Sequence, residues 1–265
     1  ARLFRRNNVK SFIYIKVIKA IGFLINKKTI LSYNNMKLVI PTKLSEITLS
    51  QFRRYQKVVL DNPDDDTFVC INMVSIFCSI SVSDVMKIPY QDFAEIVETI
   101  ARTLDEDSDF VRTFKMNGVN YGFIPNFEKI TLDEQASIDT CLSDDSLVET
   151  MLSIMYRPIT KKANIFYEIK PYDKDLDNSE LFKDVPMNIA RGAKVFFYRL
   201  MKDLLNNTLS SIPMMANRED LNLEEVLQNA GGGITTLSHL QESIDAMSKT
   251  LEQEIFTAHS RFYHI

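Results

Sequence analysis

Thr113-Phe114-Lys115-Met116-Asn117-Gly118-Val119-Asn120-Tyr121-Gly122-Phe123 is the stretch that sets the fold class. Val111, Phe114 and Met116 lead into Asn117-Gly118, and Val119, Tyr121 and Phe123 follow with period two. Asn-Gly between alternating runs is a strong hairpin signal, because both turn residues must accept positive φ. The stretch predicts a β-hairpin, and most of the chain on either side of it reads with helical period.

On the N-terminal side, Tyr90 to Leu104 carries Phe93, Ile96, Val97, Ile100 and Leu104 on one stripe. Ser83 to Ile88 resembles one capped turn. Phe68 to Ile80 is apolar nearly all round, which predicts a central helix, with Asp64-Asp65-Asp66 at its start where the helix dipole favours negative charge. Thr48 and Gln51 form a capping box ahead of Leu49, Phe52, Tyr55 and Val59, in a helix expected to end at Asn62-Pro63. Lys37–Ile40 reads as a short strand closed by Pro41. On the C-terminal side, Thr131 and Glu134 form a second capping box for a helix through Cys141. Leu147 to Met155 is a further helix stopping before Arg157-Pro158, and Ile165–Lys170 reads as extended. A long helix starts at Pro186, with Ile189, Ala193, Phe196, Phe197, Leu200, Leu204 and Leu205 facing inward. The expected class is α+β, predominantly α-helical with a small β-hairpin.

Charge divides the chain unevenly. Residues 1–35 hold eight Lys or Arg and no Asp or Glu, while the rest holds 23 basic and 35 acidic residues, a net charge of −12. Three segments follow: a basic, apolar extension at 1–35, a mainly helical domain at 36–212, and a hinge with a C-terminal amphipathic helix at 213–265. Met36 opens the acidic content, so 1–35 is expected to be upstream sequence joined to a domain that starts there. Its apolar run, Phe12 to Ile25, is broken by Lys16 and Lys19 and is shorter than the ~20 residues that cross a bilayer. Membrane contact is conceivable only through this extension, as an interfacial helix. The acidic body lacks the clustered Lys/Arg that phosphate contacts require, so nucleic-acid binding is not expected of it.

The scarce residues exclude several chemistries. There are seven glycines, three of them Gly231-Gly232-Gly233, and neither GxGxxG nor GxxxxGK[ST] occurs. Cys70, Cys78 and Cys141 form no CxxC pair and read as buried thiols in a reducing compartment. His239, His259 and His264 lack a metal-binding spacing. No catalytic, cofactor-binding or metal-binding residue is assigned. Asp105 to Asp109 and Asp173 to Asp184 have carboxylates at calcium-loop spacing, but the first lacks the turn glycine. The second has Glu180 at an apolar position and an extended segment before it. A solvated acidic loop is the competing reading. A metal-dependent hydrolase built from Glu95, Glu98, Asp105 and Asp107 competes with ordinary solvated helix faces.

After the glycine triplet, Leu237, Leu240, Ile244, Met247 and Leu251 recur at spacings of 3, 4, 3 and 4, a two-heptad seam. This seam is the candidate partner-binding surface, with homo-oligomer pairing and packing on the parent domain as alternatives.

Three stretches, read in order, resemble proteins of tailed-bacteriophage structural modules, some of them similar to tail assembly chaperones. They are Asn117 to Pro125 leading into Ile130 to Glu134, then Met155 to Ile159, then Pro186 through Phe196-Phe197 to Leu204. The resemblance spans about Met36 to Ala258. It implies a non-enzymatic protein that binds an unassembled phage structural protein, such as the tape-measure protein, in the cytoplasm of an infected bacterium. The alternative is a virion component such as a connector, neck or tail protein.

Overall fold

The computed structural model describes residues 29–33, 36–142, 144–216, 244–245 and 248–249. Its described residues are α+β and helix-dominated, as the periodicity predicts. They fall into two compact units, one ending at Asp107 and the other starting at Ser108. That division lies inside the segment 36–212.

The first unit opens with an antiparallel hairpin, β1 (Thr29–Tyr33) and β2 (Met36–Ile40). This hairpin straddles residue 36, so Thr29–Tyr33 are built into the fold. Four helices follow: α1 (Leu49–Asp61), α2 (Asp66–Cys78), α3 (Val82–Val85) and α4 (Tyr90–Leu104). Local chemistry sets their starts. Gln51 N–H donates to Thr48 Oγ1 at 3.2 Å and Thr48 N–H donates to Gln51 Oε1 at 3.0 Å, the reciprocal pair of a capping box. Phe68 N–H donates to Asp65 Oδ1, and Asp84 N–H donates to Ser81 Oγ. The apolar α2 is the centre of the unit, packed against α1, α3, α4 and β2. Its Met73, Val74 and Phe77 are buried along with Tyr55 of α1 and Ile100 of α4.

Cys70 and Cys78 are both buried on α2. Burial pushes the Cys78 thiol up to about 12. Its folded pKa lies above the unfolded one, so the contribution is complete below the unfolded value, near 8.5, and is lost as pH rises towards 12. Stability should fall across that window by about 1.4 kcal/mol per pH unit for this thiol, and Cys78→Ala should flatten the slope by that amount. Urea titrations at a series of alkaline pH values would read the slope, and an unchanged slope would count against the buried thiol.

The second unit is a four-stranded antiparallel meander with helices inserted. Its strands are β3 (Thr113–Met116), β4 (Val119–Phe123), β5 (Tyr156–Ala163) and β6 (Phe166–Ile169), in that spatial order. Asn117 (φ 49°) and Gly118 (φ 82°) make the β3–β4 turn, as their chemistry predicts. Between β4 and β5 lie α5 (Leu132–Leu142) and α6 (Val148–Met155), and after β6 come α7 (Ser179–Phe182) and α8 (Met187–Ala216). The sheet is larger than the expected hairpin, because α6 passes directly into β5 at Tyr156. Helix α8 runs past the expected boundary at 212/213: Pro213 removes one backbone donor without ending it. Among the described residues no helix is long and apolar enough to cross a membrane.

An aromatic cluster holds the second unit together. Phe110 stacks on Phe196 of α8 with centroids 4.0 Å apart and meets Phe123 edge-on at 4.8 Å. Tyr156 packs edge-on against Phe114 and Phe123, and its hydroxyl donates to the Val111 carbonyl at 2.6 Å. Tyr167 lies over Gly122, where a Cβ would overlap its ring. The Tyr167 hydroxyl donates to the Phe123 carbonyl at 2.8 Å and accepts from Arg112 Nε at 3.3 Å. Two hydrogen bonds hold the hydroxyl end of this ring, so Gly122→Ala should cost about 2 kcal/mol by overpacking, measurable by urea denaturation.

Candidate functional site

The second unit contains a groove of about 540 Å³. One wall is the α5–α6 pair, and the other is the segment from Lys170 to Phe182. Tyr121 and Tyr156 of the sheet also line it. Two contacts span from α5 to the opposite wall: Tyr172 hydroxyl to Ser137 Oγ at 2.8 Å, and Lys174 Nζ to Asp133 Oδ1 at 3.1 Å. Leu176 and Leu181 line the groove and remain 44% and 48% exposed, so its apolar surface reaches solvent.

Helix α5 is held against the sheet by a buried ion pair. Glu134 N–H donates to Thr131 Oγ1, half of the expected capping box. The Glu134 carboxylate pairs with the Arg157 guanidinium of β5, and the two side chains are 5% and 11% exposed. Burial pulls the Arg157 guanidinium below its usual range, while the Glu134 charge acts the other way. Arg157 Nε is also buried and has no hydrogen-bond partner among the described residues. Burial, and then the nearby Asp144 charge, raises the Cys141 thiol to about 11, so this groove-lining cysteine is poorly nucleophilic.

The groove's lining is balanced in charge, with Asp133, Asp173 and Asp177 beside Arg157, Lys170 and Lys174, although the α5–α6 segment itself is acidic. From Ile130 to Tyr156 the sequence holds six carboxylates, Asp133, Glu134, Asp139, Asp144, Asp145 and Glu149, and no Lys or Arg. In the opposite wall, Asp173 Oδ1 accepts Asp175 N–H at 3.2 Å and Asp177 Oδ1 accepts Ser179 N–H at 2.8 Å. That last contact holds the Asp177 carboxyl below its usual range. These carboxylates act as turn acceptors. Among the described residues no group of three or more His, Cys, Asp or Glu is placed to hold a metal ion. Of the dispersed acids, Glu98, Asp105 and Asp107 are exposed, and Glu98 lies 3.9 Å from Arg102.

A β-arm rises beside the groove. Strands β4 and β5 pair at Phe123↔Tyr156, Gly122↔Arg157 and Tyr121↔Pro158, and the ladder stops there. Pro158 has no N–H to extend it. Beyond that point β5 pairs only with β6, after a register irregularity between Ile159 and Lys161. The Asn164-Ile165 turn has positive φ at Asn164, and its tip leaves Ile165 76% and Phe166 72% exposed.

The sequence-predicted partner seam is only partly described. Ile244 is buried, with Asp245 beside it exposed. Leu237, Leu240, Met247 and Leu251 lie outside the described residues, as do Gly231-Gly232-Gly233 and the apolar run of Phe12 to Ile25. The groove itself has no motif, since its lining is gathered from Val119 to Phe182. No protein-family model matches the chain, and no curated protein and no solved structure matches it.

Proposed function

We propose that this chain is a non-enzymatic binding protein that takes an apolar segment of a protein into the groove of its second unit. The observation that carries this reading is the groove: room for a compact ligand and leucines that reach solvent, with charged side chains of both signs around them. Such a site recognises through apolar contact rimmed by charge. The resemblance to phage tail-module proteins supports an unassembled structural protein as the partner, in the cytoplasm of an infected bacterium.

Two synthetic peptides test the reading, one with an Ile-Phe-Leu centre and the other with Ser-Gln-Ser in its place. Fluorescence anisotropy should show the apolar peptide binding at least about tenfold more tightly, a difference of ~1.4 kcal/mol. Binding should be lost in Leu176→Asp/Leu181→Asp. Equal affinity for the two peptides, or binding indifferent to the double variant, would remove the groove from consideration.

A further inference from the structure

The part of the groove wall from Pro171 to Asn178 is tied down at its ends and along one edge, and we propose that it is a strap that opens to admit the ligand and refastens over it. The inference rests on the groove being the binding site and adds its gate. Both ends of the strap are anchored. Lys170 N–H donates to the Pro158 carbonyl at 2.8 Å, at the end of the β4–β5 ladder. On the other side, Phe182 of α7 is buried and α7 packs on α6. Between these anchors no side chain from Pro171 to Leu181 is buried. The backbone bonds of the strap are local: Leu176 N–H donates to the Asp173 carbonyl, and the Asp175 and Ser179 N–H groups donate to the carboxylates of Asp173 and Asp177. A segment with exposed side chains and local bonds opens at a fraction of the cost of unfolding its unit.

Among the described residues, two side-chain contacts fasten the strap to α5, and both use one face of that helix. Asp133, Ser137 and Cys141 recur at intervals of four, which places them in a row. Asp133 receives Lys174 and Ser137 receives the Tyr172 hydroxyl. Cys141, next in the row, lines the groove and is buried. The Lys174–Asp133 pair lies at the surface, with side chains 68% and 50% exposed, and the Tyr172–Ser137 bond is partly buried. An exposed ion pair and one neutral hydrogen bond together shift a closed-to-open ratio by about tenfold. Leu176 of the strap lines the groove, so lifting the strap widens the entrance while the core side chains stay in place. The fastening is the same over an empty and a filled groove. Breaking it therefore changes how fast a ligand enters and leaves, and leaves affinity nearly as it was.

Two full-length variants test this: Tyr172→Phe/Lys174→Met releases the fastening from the strap, and Asp133→Asn/Ser137→Ala releases it from α5. Cys141 is a built-in reporter that needs no ligand. Its alkylation by iodoacetamide at one fixed pH, read by peptide mass spectrometry, should run about tenfold faster in both variants than in the wild type. The two variants change the local charge in opposite directions, so a shared acceleration is not an electrostatic effect on the thiol. The rate should depend little on dilute urea, because lifting the strap exposes little surface. With the apolar peptide, stopped-flow anisotropy should show association and dissociation both faster by a similar factor, at a nearly unchanged Kd. Alkylation at the wild-type rate in either variant overturns the proposal. So does alkylation that climbs steeply with urea, which assigns the event to unfolding of the unit. Weaker peptide affinity at an unchanged association rate would make the segment a fixed wall and overturn it equally. If alkylation is unchanged while the apolar peptide binds, the strap falls alone. If alkylation accelerates while the peptide fails to bind, the reading of the groove as a site for a protein segment falls and the strap stands.

Discussion

Gly192→Ala is expected to destabilise the second unit by about 2 kcal/mol or more, although alanine is the better helix former. In an open helix interior the exchange would gain about 1 kcal/mol from propensity. Gly192 lies in α8 where the helix meets the chain at Asp109. A Cβ built there overlaps the Asp109 carbonyl oxygen and stands 3.0 Å from its carbon. The obstacle is backbone, so no side-chain rotation relieves it, and overpacking of this kind costs ~1–3 kcal/mol or more. One turn on, Phe196 stacks on Phe110, so separating α8 from Asp109 also opens that aromatic contact. Thermal unfolding should shift down by roughly 4–8 °C for a unit of this size. A rise in melting temperature would mean that α8 does not dock on the Asp109 backbone.

Gly192 also marks the limit of what the residue order tells. The turn at Asn117-Gly118 and the capping box at Thr48 and Gln51 were legible because their chemistry is local: the residues that demand the conformation also adopt it. The close approach at Gly192 depends on a carbonyl more than eighty positions away, so the glycine carries no local sign of its use. Strand β5 was hidden for a related reason. Tyr156-Arg157-Pro158-Ile159 has neither alternation nor free strand propensity, and it is extended because β4 and β6 supply its partners. At Asp173 and Asp177 the spacing of carboxylates suggested a calcium loop, while the structure uses both as acceptors of local turn bonds. Spacing alone does not distinguish a ligand from a turn former. The candidate binding seam at Leu237 to Leu251 was read from period alone, whereas the groove comes from four separate pieces of chain that no period connects.

The Glu134–Arg157 pair should produce the largest effect of any single substitution, and the test lies in comparing singles with the double. Both side chains are almost fully buried. Removing either leaves the other charge uncompensated out of water, which costs about 3–5 kcal/mol. Glu134→Leu and Arg157→Leu should each fall in that range. The double replacement removes both charges together with the unpartnered Arg157 Nε, and should return to within about 1 kcal/mol of the wild type. The coupling energy of the cycle is then several kcal/mol. The exposed Lys161–Glu168 and Lys174–Asp133 pairs sit largely in water, and pairs of that kind are worth ~0–1 kcal/mol. Salt should weaken these surface pairs and leave the buried one nearly untouched. The pair also positions the groove, because Glu134 anchors α5 beside Asp133, whose carboxylate receives Lys174 from the opposite wall. Peptide binding should therefore weaken in each single variant and recover in the double, if the pair acts by holding the wall in place. Binding that stays lost in a folded double variant would show that the charges themselves contact the ligand.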